Sequence, residues 1–231
     1  MVRDFVMRVS KVKEWCEGIK SIYLEYVGAD RMEYNAGQYV LLSGVVGGKK
    51  ISRAYSLASQ PSSKNIEIIF RVVGVFTGYL NTLKEGDTIT MTGPFGHISL
   101  SNVRSSKVVF IATGTGVSPF ISIIRDMHEK GMCGKFEKIV LIYGTRYRNM
   151  IVHFDDFVEH SKECKNFNFV PVLSKEENWN GKKGHVQDVL NEFIYEDAEY
   201  FICGLPLMTE DVVKILGQKG ISMNKIHLER F

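Results

Sequence analysis

No apolar run in this 231-residue chain approaches the ~20 residues a helix needs to cross a bilayer. Cysteine is scarce. Cys16, Cys133, Cys164 and Cys203 are widely scattered, and no two have the spacing of a zinc or iron–sulfur ligand pair, so no metal centre is expected. The same scatter argues against a disulfide framework and for reduced thiols in the cytoplasm. Charge of one sign is also missing. A formal net charge of +3 is too small to imply nucleic acid, although a local basic patch can still attract an acidic partner. The start, Met1-Val2-Arg3-Asp4-Phe5, carries charges where a signal peptide needs an apolar core. There is no internal repeat and no low-complexity tract. What is present is ordinary for globular protein: 45% hydrophobic and 24% charged residues, enough for two cores. At roughly 100–200 residues per domain, the length suggests about two domains.

The two halves differ in period. Residues 5–12, 19–27, 38–42, 52–57, 66–73 and 88–92 are short runs rich in Val, Ile, Tyr and Thr, separated by turn-forming clusters. Six such strands predict a small antiparallel barrel, which removes unpaired edges. Residues 77–83 break the pattern and predict a short helix whose start offers amides and a Thr77 cap to an anion. After the polar stretch 101–106, residues 107–112, 138–143, 168–173 and 199–203 read as buried strands. Val117, Phe120, Ile121, Ile124 and Met127 recur at helical spacing, and residues 154–164, 186–193 and 207–217 read as further helices. Strand alternating with helix predicts an α/β domain with a parallel sheet covered on both faces. The domains expected are therefore 1–103 and 104–231. The apolar stretch 221–228 predicts a last strand that ties down the chain end.

Several motifs carry chemistry. In Arg53-Ala54-Tyr55-Ser56, strand alternation puts Arg53 and Tyr55 on one face and Ala54 and Ser56 on the other. A guanidinium suits a phosphate, and Tyr55 can stack on a ring. Taken alone, a surface arginine and a barrel-wall tyrosine explain the segment equally well. Gly114-Thr115-Gly116-Val117-Ser118-Pro119 follows a strand and opens a helix, where glycines let backbone amides approach a pyrophosphate. Pro119 fits because first-turn amides lack intrahelical partners. The acidic residue expected about 20 positions on for a ribose-binding site is missing. The next strand ends instead in Gly144-Thr145-Arg146-Tyr147-Arg148. Cys203-Gly204-Leu205-Pro206-Leu207-Met208 follows the last clear strand, where open α/β sheets collect their ligands. An isolated cysteine there is more simply a small buried thiol. His97 reads as a turn residue.

The order of these motifs resembles the ferredoxin–NADP reductase family across nearly the whole chain. The matching segments are Arg53-Ala54-Tyr55-Ser56, Arg71-Val72-Val73-Gly74 with Thr77, and Gly93-Pro94-Phe95-Gly96. Gly114-Thr115-Gly116-Val117-Ser118-Pro119, Cys203-Gly204-Leu205-Pro206-Leu207-Met208, and the terminal Glu229 and Phe231 follow. The resemblance implies a flavin-binding barrel followed by a nicotinamide-binding α/β domain. It implies that Arg53 pairs with flavin phosphates, that Tyr55 packs against the isoalloxazine and ribityl region, and that Ser56 hydrogen-bonds near flavin N5. Arg71, the Val72–Val73 backbone and Thr77 belong to the same flavin site. Gly114, Thr115 and Gly116 would cradle the nicotinamide pyrophosphate. Cys203 would lie by the nicotinamide, with Gly204 and Met208 in the same cofactor-binding segment. Phe231 would cover the flavin, with Glu229 a polar neighbour of the hydride path. The terminal aromatic is Phe where many members have Tyr or Trp.

The activity implied is that of an NAD(P)H-dependent flavoprotein reductase, with electrons leaving to a ferredoxin or flavodoxin. FAD is expected, with FMN the second choice. Thr145, Arg146 and Lys175 at the strand ends, with Arg148, Lys182 and Lys183 nearby, favour NADP(H) over NAD(H); Glu176 and Glu177 offset part of that charge. A free-flavin reductase and an electron-transfer subunit of a larger complex are the competing readings. No cysteine-rich ferredoxin module accompanies the two halves, so a self-contained oxygenase reductase is not expected. A monomer or weak dimer is expected.

Overall fold

A computed structural model describes residues 2–229. The expected cover of the flavin by Phe231 therefore lies outside the described residues. The chain divides into two units, Met1–Ser99 with Ser118–Asp126, and Leu100–Val117 with Met127–Phe231.

The first unit contains β1 (Arg3–Cys16), β2 (Ile19–Tyr26), β3 (Tyr39–Val46), β4 (Lys49–Ser56), β5 (Ile66–Arg71), α1 (Val75–Thr82) and β6 (Thr88–Phe95). The strands form one antiparallel sheet in the order β4-β3-β6-β1-β2-β5. A bridge from Leu57 to Ile68 joins the end of β4 to β5, so the sheet curls round on itself. Alternation sends Met7, Val9, Ile22, Leu24, Val40, Leu42 and Ile68 inward as a common core. β1 is longer than its apolar pattern indicates. Register shifts at Val9/Lys11 and Glu14/Cys16 interrupt the period while the strand continues and bends.

The second unit begins with β7 (Lys107–Thr113) and a 3-10 turn at Gly114–Val117, from which α2 (Ser118–Glu129) departs. After a 3-10 turn at Met132–Lys135 come β8 (Lys138–Thr145), α3 (Phe154–Glu163), β9 (Phe167–Leu173) and the short β10 (Lys182–Lys183). Then follow α4 (Val186–Val189), β11 (Ala198–Cys203), α5 (Pro206–Gln218) and β12 (Ile226–Glu229). The sheet is parallel, in the order β10-β9-β8-β7-β11-β12. Val108, Val109, Phe110 and Ile111 on β7 are all fully buried, as a strand covered on both faces requires. On one face Val109, Ile111, Val140 and Ile142 pack with Val186 and Val189 of α4 and Met208, Val212 and Leu216 of α5. On the other, Phe157 of α3 lies 5.0 Å, centroid to centroid, from Phe169 of β9. Strand order reverses between β7 and β11, the place where open α/β sheets form a crevice.

Two local expectations need correction. The strand expected over 221–228 is confined to Ile226–Glu229. Gly220, at φ +81°, ends α5 in a left-handed cap: the Gly220 amide bonds the Gly217 carbonyl, and the Ile221 amide bonds the Leu216 carbonyl. Ile221 thus completes a helix end before β12 can begin. Thr77 is not the cap of α1, which starts two residues earlier after Gly74. Its hydroxyl oxygen accepts from the Val73 and Gly74 amides at 3.0 and 2.9 Å and donates to the Gly74 carbonyl. The side chain expected to face an anion instead shapes the loop before the helix.

Candidate functional site

In the first unit, Tyr55 and Arg53 stand opposite the core residues Val40 and Leu42 across the β3–β4 ladder. Tyr55 packs on the core, with its ring 6.3 Å from that of Phe76, and burial pushes its hydroxyl up to about 12. Arg53 reaches solvent; its guanidinium donates to the neighbouring Ser52 carbonyl at 2.8 Å. Ser56, on the opposite face, is buried. Arg71 ends β5 exposed. Beyond it, the Val72 amide bonds the Gly18 carbonyl and the Val73 amide bonds Thr77, while Val73 and Val75 expose their side chains. The unit thus offers a solvent-facing cation, a fixed aromatic and an apolar loop.

The second unit gathers its candidates at the carboxyl ends of its central strands. Cys203 pairs in register with Ala112 on β7 and with Glu229 on β12. A Cβ at Gly116 would lie 2.5 Å from the Cys203 carbonyl oxygen, so only glycine fits that crossing. At Gly204 a Cβ would strike Thr113 Oγ1 and Met208. Both glycines serve the close approach of two strand ends, a use that a phosphate-loop reading alone does not reveal. Gly114, in contrast, faces open space. Met208, expected near a cofactor, packs in the core between α5 and the sheet. Thr115 lies in the 3-10 turn between these glycines.

Cys203 is fully buried, and burial, then the nearby Glu229 carboxylate, pushes its thiol well up. Glu229 is also buried, its Oε2 has no hydrogen-bond partner among the described residues, and burial raises its carboxyl to about 7. The folded chain thus holds this proton more tightly than the unfolded chain does. The stability it contributes is full below the usual carboxylate value and is lost as pH rises through about 7. Glu229→Gln should remove that component. Urea midpoints measured between about pH 5 and pH 8 should fall less steeply for the variant than for wild type. Parallel profiles would mean that Glu229 titrates as an ordinary surface carboxylate.

The loops after β8 and β9 lie side by side: the Ser174 amide bonds the Thr145 carbonyl, and the Lys175 amide bonds the Arg146 carbonyl. Thr145 Oγ1 donates to the Tyr147 carbonyl. Arg146, Arg148 and Lys175 are exposed, and Arg148 lies over the Phe154 ring at 4.8 Å. Glu176 Oε2 accepts from the Arg148 amide.

Sequence reasoning missed the buried polar cluster of the first unit. Glu67, 2% exposed, accepts from Ser21 Oγ and Tyr23 OH and pairs with Arg125 at 2.8 Å. Arg125 also donates to the Ala58 carbonyl, and Ser122 to that of Ser59. The only sequence signal is a glutamate inside the otherwise apolar run Ile66-Glu67-Ile68-Ile69-Phe70.

Residues 7–100 match the oxidoreductase FAD-binding domain family, and residues 110–214 match the oxidoreductase NAD-binding domain family. A subunit of the Na(+)-translocating NADH-quinone reductase of Neisseria gonorrhoeae is 33% identical over 86% of this chain and 53% of its own length. The reductase component of phenol 2-monooxygenase from Pseudomonas is 31% identical over 100% of this chain and 66% of its own. The Amycolatopsis cytochrome P450 reductase superposes with a TM-score of 0.89 at 30% identity, covering 100% of this chain and 70% of that structure. The chain thus spans about half the length of the Na(+)-translocating reductase subunits it matches. No helix among the described residues is long and apolar enough to cross a membrane.

Proposed function

Because the chain belongs to the ferredoxin–NADP reductase family of flavoprotein oxidoreductases, we propose that it oxidises NADPH through a bound FAD and delivers electrons to a ferredoxin or flavodoxin. The observation that carries this reading is the presence of two motifs in one chain: a solvent-facing Arg53 beside a packed Tyr55, and a glycine turn, open at Gly114, at the reversal of the parallel sheet. When bound, FAD supplies the acceptor for hydride from nicotinamide and the means to release electrons singly.

The chain's own residues bind and orient. Arg53 would hold the flavin phosphates, assisted by Arg71, while Tyr55 would support the ring region and Ser56 would offer it a hydrogen bond. Val72, Val73 and Thr77 shape the loop beside it. In the second unit, Gly114, Thr115 and Gly116 would receive the nicotinamide pyrophosphate, where a helix start favours negative charge. Cys203 and Gly204 border the nicotinamide. Glu229 would hold or yield a proton nearby. Four free cysteines support a reducing, cytoplasmic setting.

Arg146 and Lys175, brought together by the paired loops, would meet a 2′-phosphate, with Thr145 alongside. NADPH should therefore give the higher kcat/KM. Lys175→Ala should raise KM for NADPH and spare NADH, and the preference should shrink with added salt. A higher kcat/KM with NADH would assign these cations to solubility alone.

The relatives favour a second reading. They are a subunit and a reductase component, so this chain can be an electron-transfer part of a larger assembly. Turnover of the isolated chain with soluble ferredoxin supports the first reading; turnover only with a co-purifying partner supports the second.

A further inference from the structure

Cys133, His160 and Cys164 meet at the opposite end of the parallel sheet from the glycine turn. Cys133 lies in the 3-10 turn just before β8, and Cys164 just before β9, so the trio sits by the amino ends of those strands. His160 and Cys164 are four residues apart at the end of α3 and share one face of it. Their ligand atoms and Cys133 Sγ all lie within 4.8 Å of one another, with Cys133 Sγ 3.9 Å from His160 Nε2. A tetrahedral zinc with Zn–S about 2.3 Å and Zn–N about 2.0 Å sets its S and N ligands about 3.5 Å apart. Cys133 Sγ and His160 Nε2 already lie close to that spacing.

The surroundings are those of a ligand set. His160 Nδ1 is 3.1 Å from His128 Nδ1, and His128 Nε2 is 3.4 Å from Glu163 Oε2. If His160 keeps its proton on Nδ1, that N–H donates to His128. The His128 Nε2–H then faces the carboxylate, and His160 Nε2 is left with its lone pair toward the cysteines. An imidazole oriented through its second nitrogen is the usual support of a metal-bound histidine. The Phe167 ring packs edge-on against His160 at 4.7 Å, and Asn166 Nδ2 donates to the Cys133 and Phe136 carbonyls, which pins the turn. Cys133 is half-buried and Cys164 buried. The spacing of the cysteines in the sequence excludes a metal centre only if both thiols must come from one segment. Here the fold brings them together from two.

We propose that Cys133, Cys164 and His160 bind a zinc-class cation that staples the end of α3 to the turn before β8. Binding converts both thiols to thiolates and releases their two protons to solvent; nothing is oxidised or reduced. The site is separate from the proposed redox machinery, so its loss should leave flavin reduction unchanged.

The test uses the flavin-loaded full chain, stripped with a chelator and dialysed against Zn²⁺. Metal analysis should find a stoichiometric amount in wild type and almost none in Cys133→Ser, with flavin content and reduction rate the same in both. His128→Ala should weaken Zn²⁺ binding about 10- to 100-fold without abolishing it. Co²⁺ in place of Zn²⁺ should give visible d–d bands beyond the flavin absorption, lost in Cys133→Ser. Wild type that retains no metal, equal retention by Cys133→Ser, or a Cys133–Cys164 disulfide that persists when Zn²⁺ is supplied under mild reduction would overturn the proposal.

Discussion

Arg125→Met should destabilise the first unit by about 3–5 kcal/mol, because it removes the guanidinium that pairs with a buried carboxylate. Glu67 has a side chain only 3% exposed, and the Ser21 and Tyr23 hydroxyls that also donate to it are neutral. Two hydroxyl hydrogen bonds do not replace the solvation lost on burial. The effect belongs to the unpaired charge rather than to the pair itself. The double variant Arg125→Met/Glu67→Gln should therefore recover much of the loss, since replacing both members of a buried pair is often close to neutral. Urea unfolding of wild type and the two variants decides. A single variant within about 0.5 kcal/mol of wild type would show a solvated, weak pair, as exposed salt bridges are.

Arg53→Ala should weaken flavin binding by about 1.5–3 kcal/mol, the range for a hydrogen bond to a charged group. At 1.4 kcal/mol per tenfold this is a loss of about 10- to 140-fold. Arg53 is exposed on β4 and donates to the carbonyl of the adjacent Ser52, a local contact that the folded barrel does not need. Stability of the flavin-free chain should stay within about 0.5 kcal/mol, as for surface substitutions generally. Nicotinamide binding should also be unaffected. Fluorescence of flavin released on dilution measures the difference, and equal release from both proteins would remove Arg53 from the site.

The architecture is legible in the sequence because its signals are periodic. Short runs rich in Val, Ile, Tyr and Thr over residues 5–12 and 66–73 find β1 and β5, and continuous apolar runs find β7 and β8. Ends are less legible where local chemistry competes with pattern. Thr77 reads as a cap but acts from the third helical position, and Ile221 reads as strand but closes the end of α5. Long-range pairings are not legible at all. The partners Glu67 and Arg125 are 58 residues apart, and no local rule connects them. The same holds for Cys203 and Glu229, whose adjacency depends on the register of β11 with β12. Gly116 reads as part of an anion cradle, yet its steric need comes from Cys203 across the sheet. Backbone crossings of this kind exist only once the strand order is known.

Anaerobic titration of the purified chain with NADPH tests the flavoprotein reductase assignment most directly. The expected result is a yellow protein that releases FAD on heating and whose flavin absorption bleaches with stoichiometric NADPH. A colourless chain that fails to take up added FAD, or a bound flavin that neither NADPH nor NADH reduces, would contradict it.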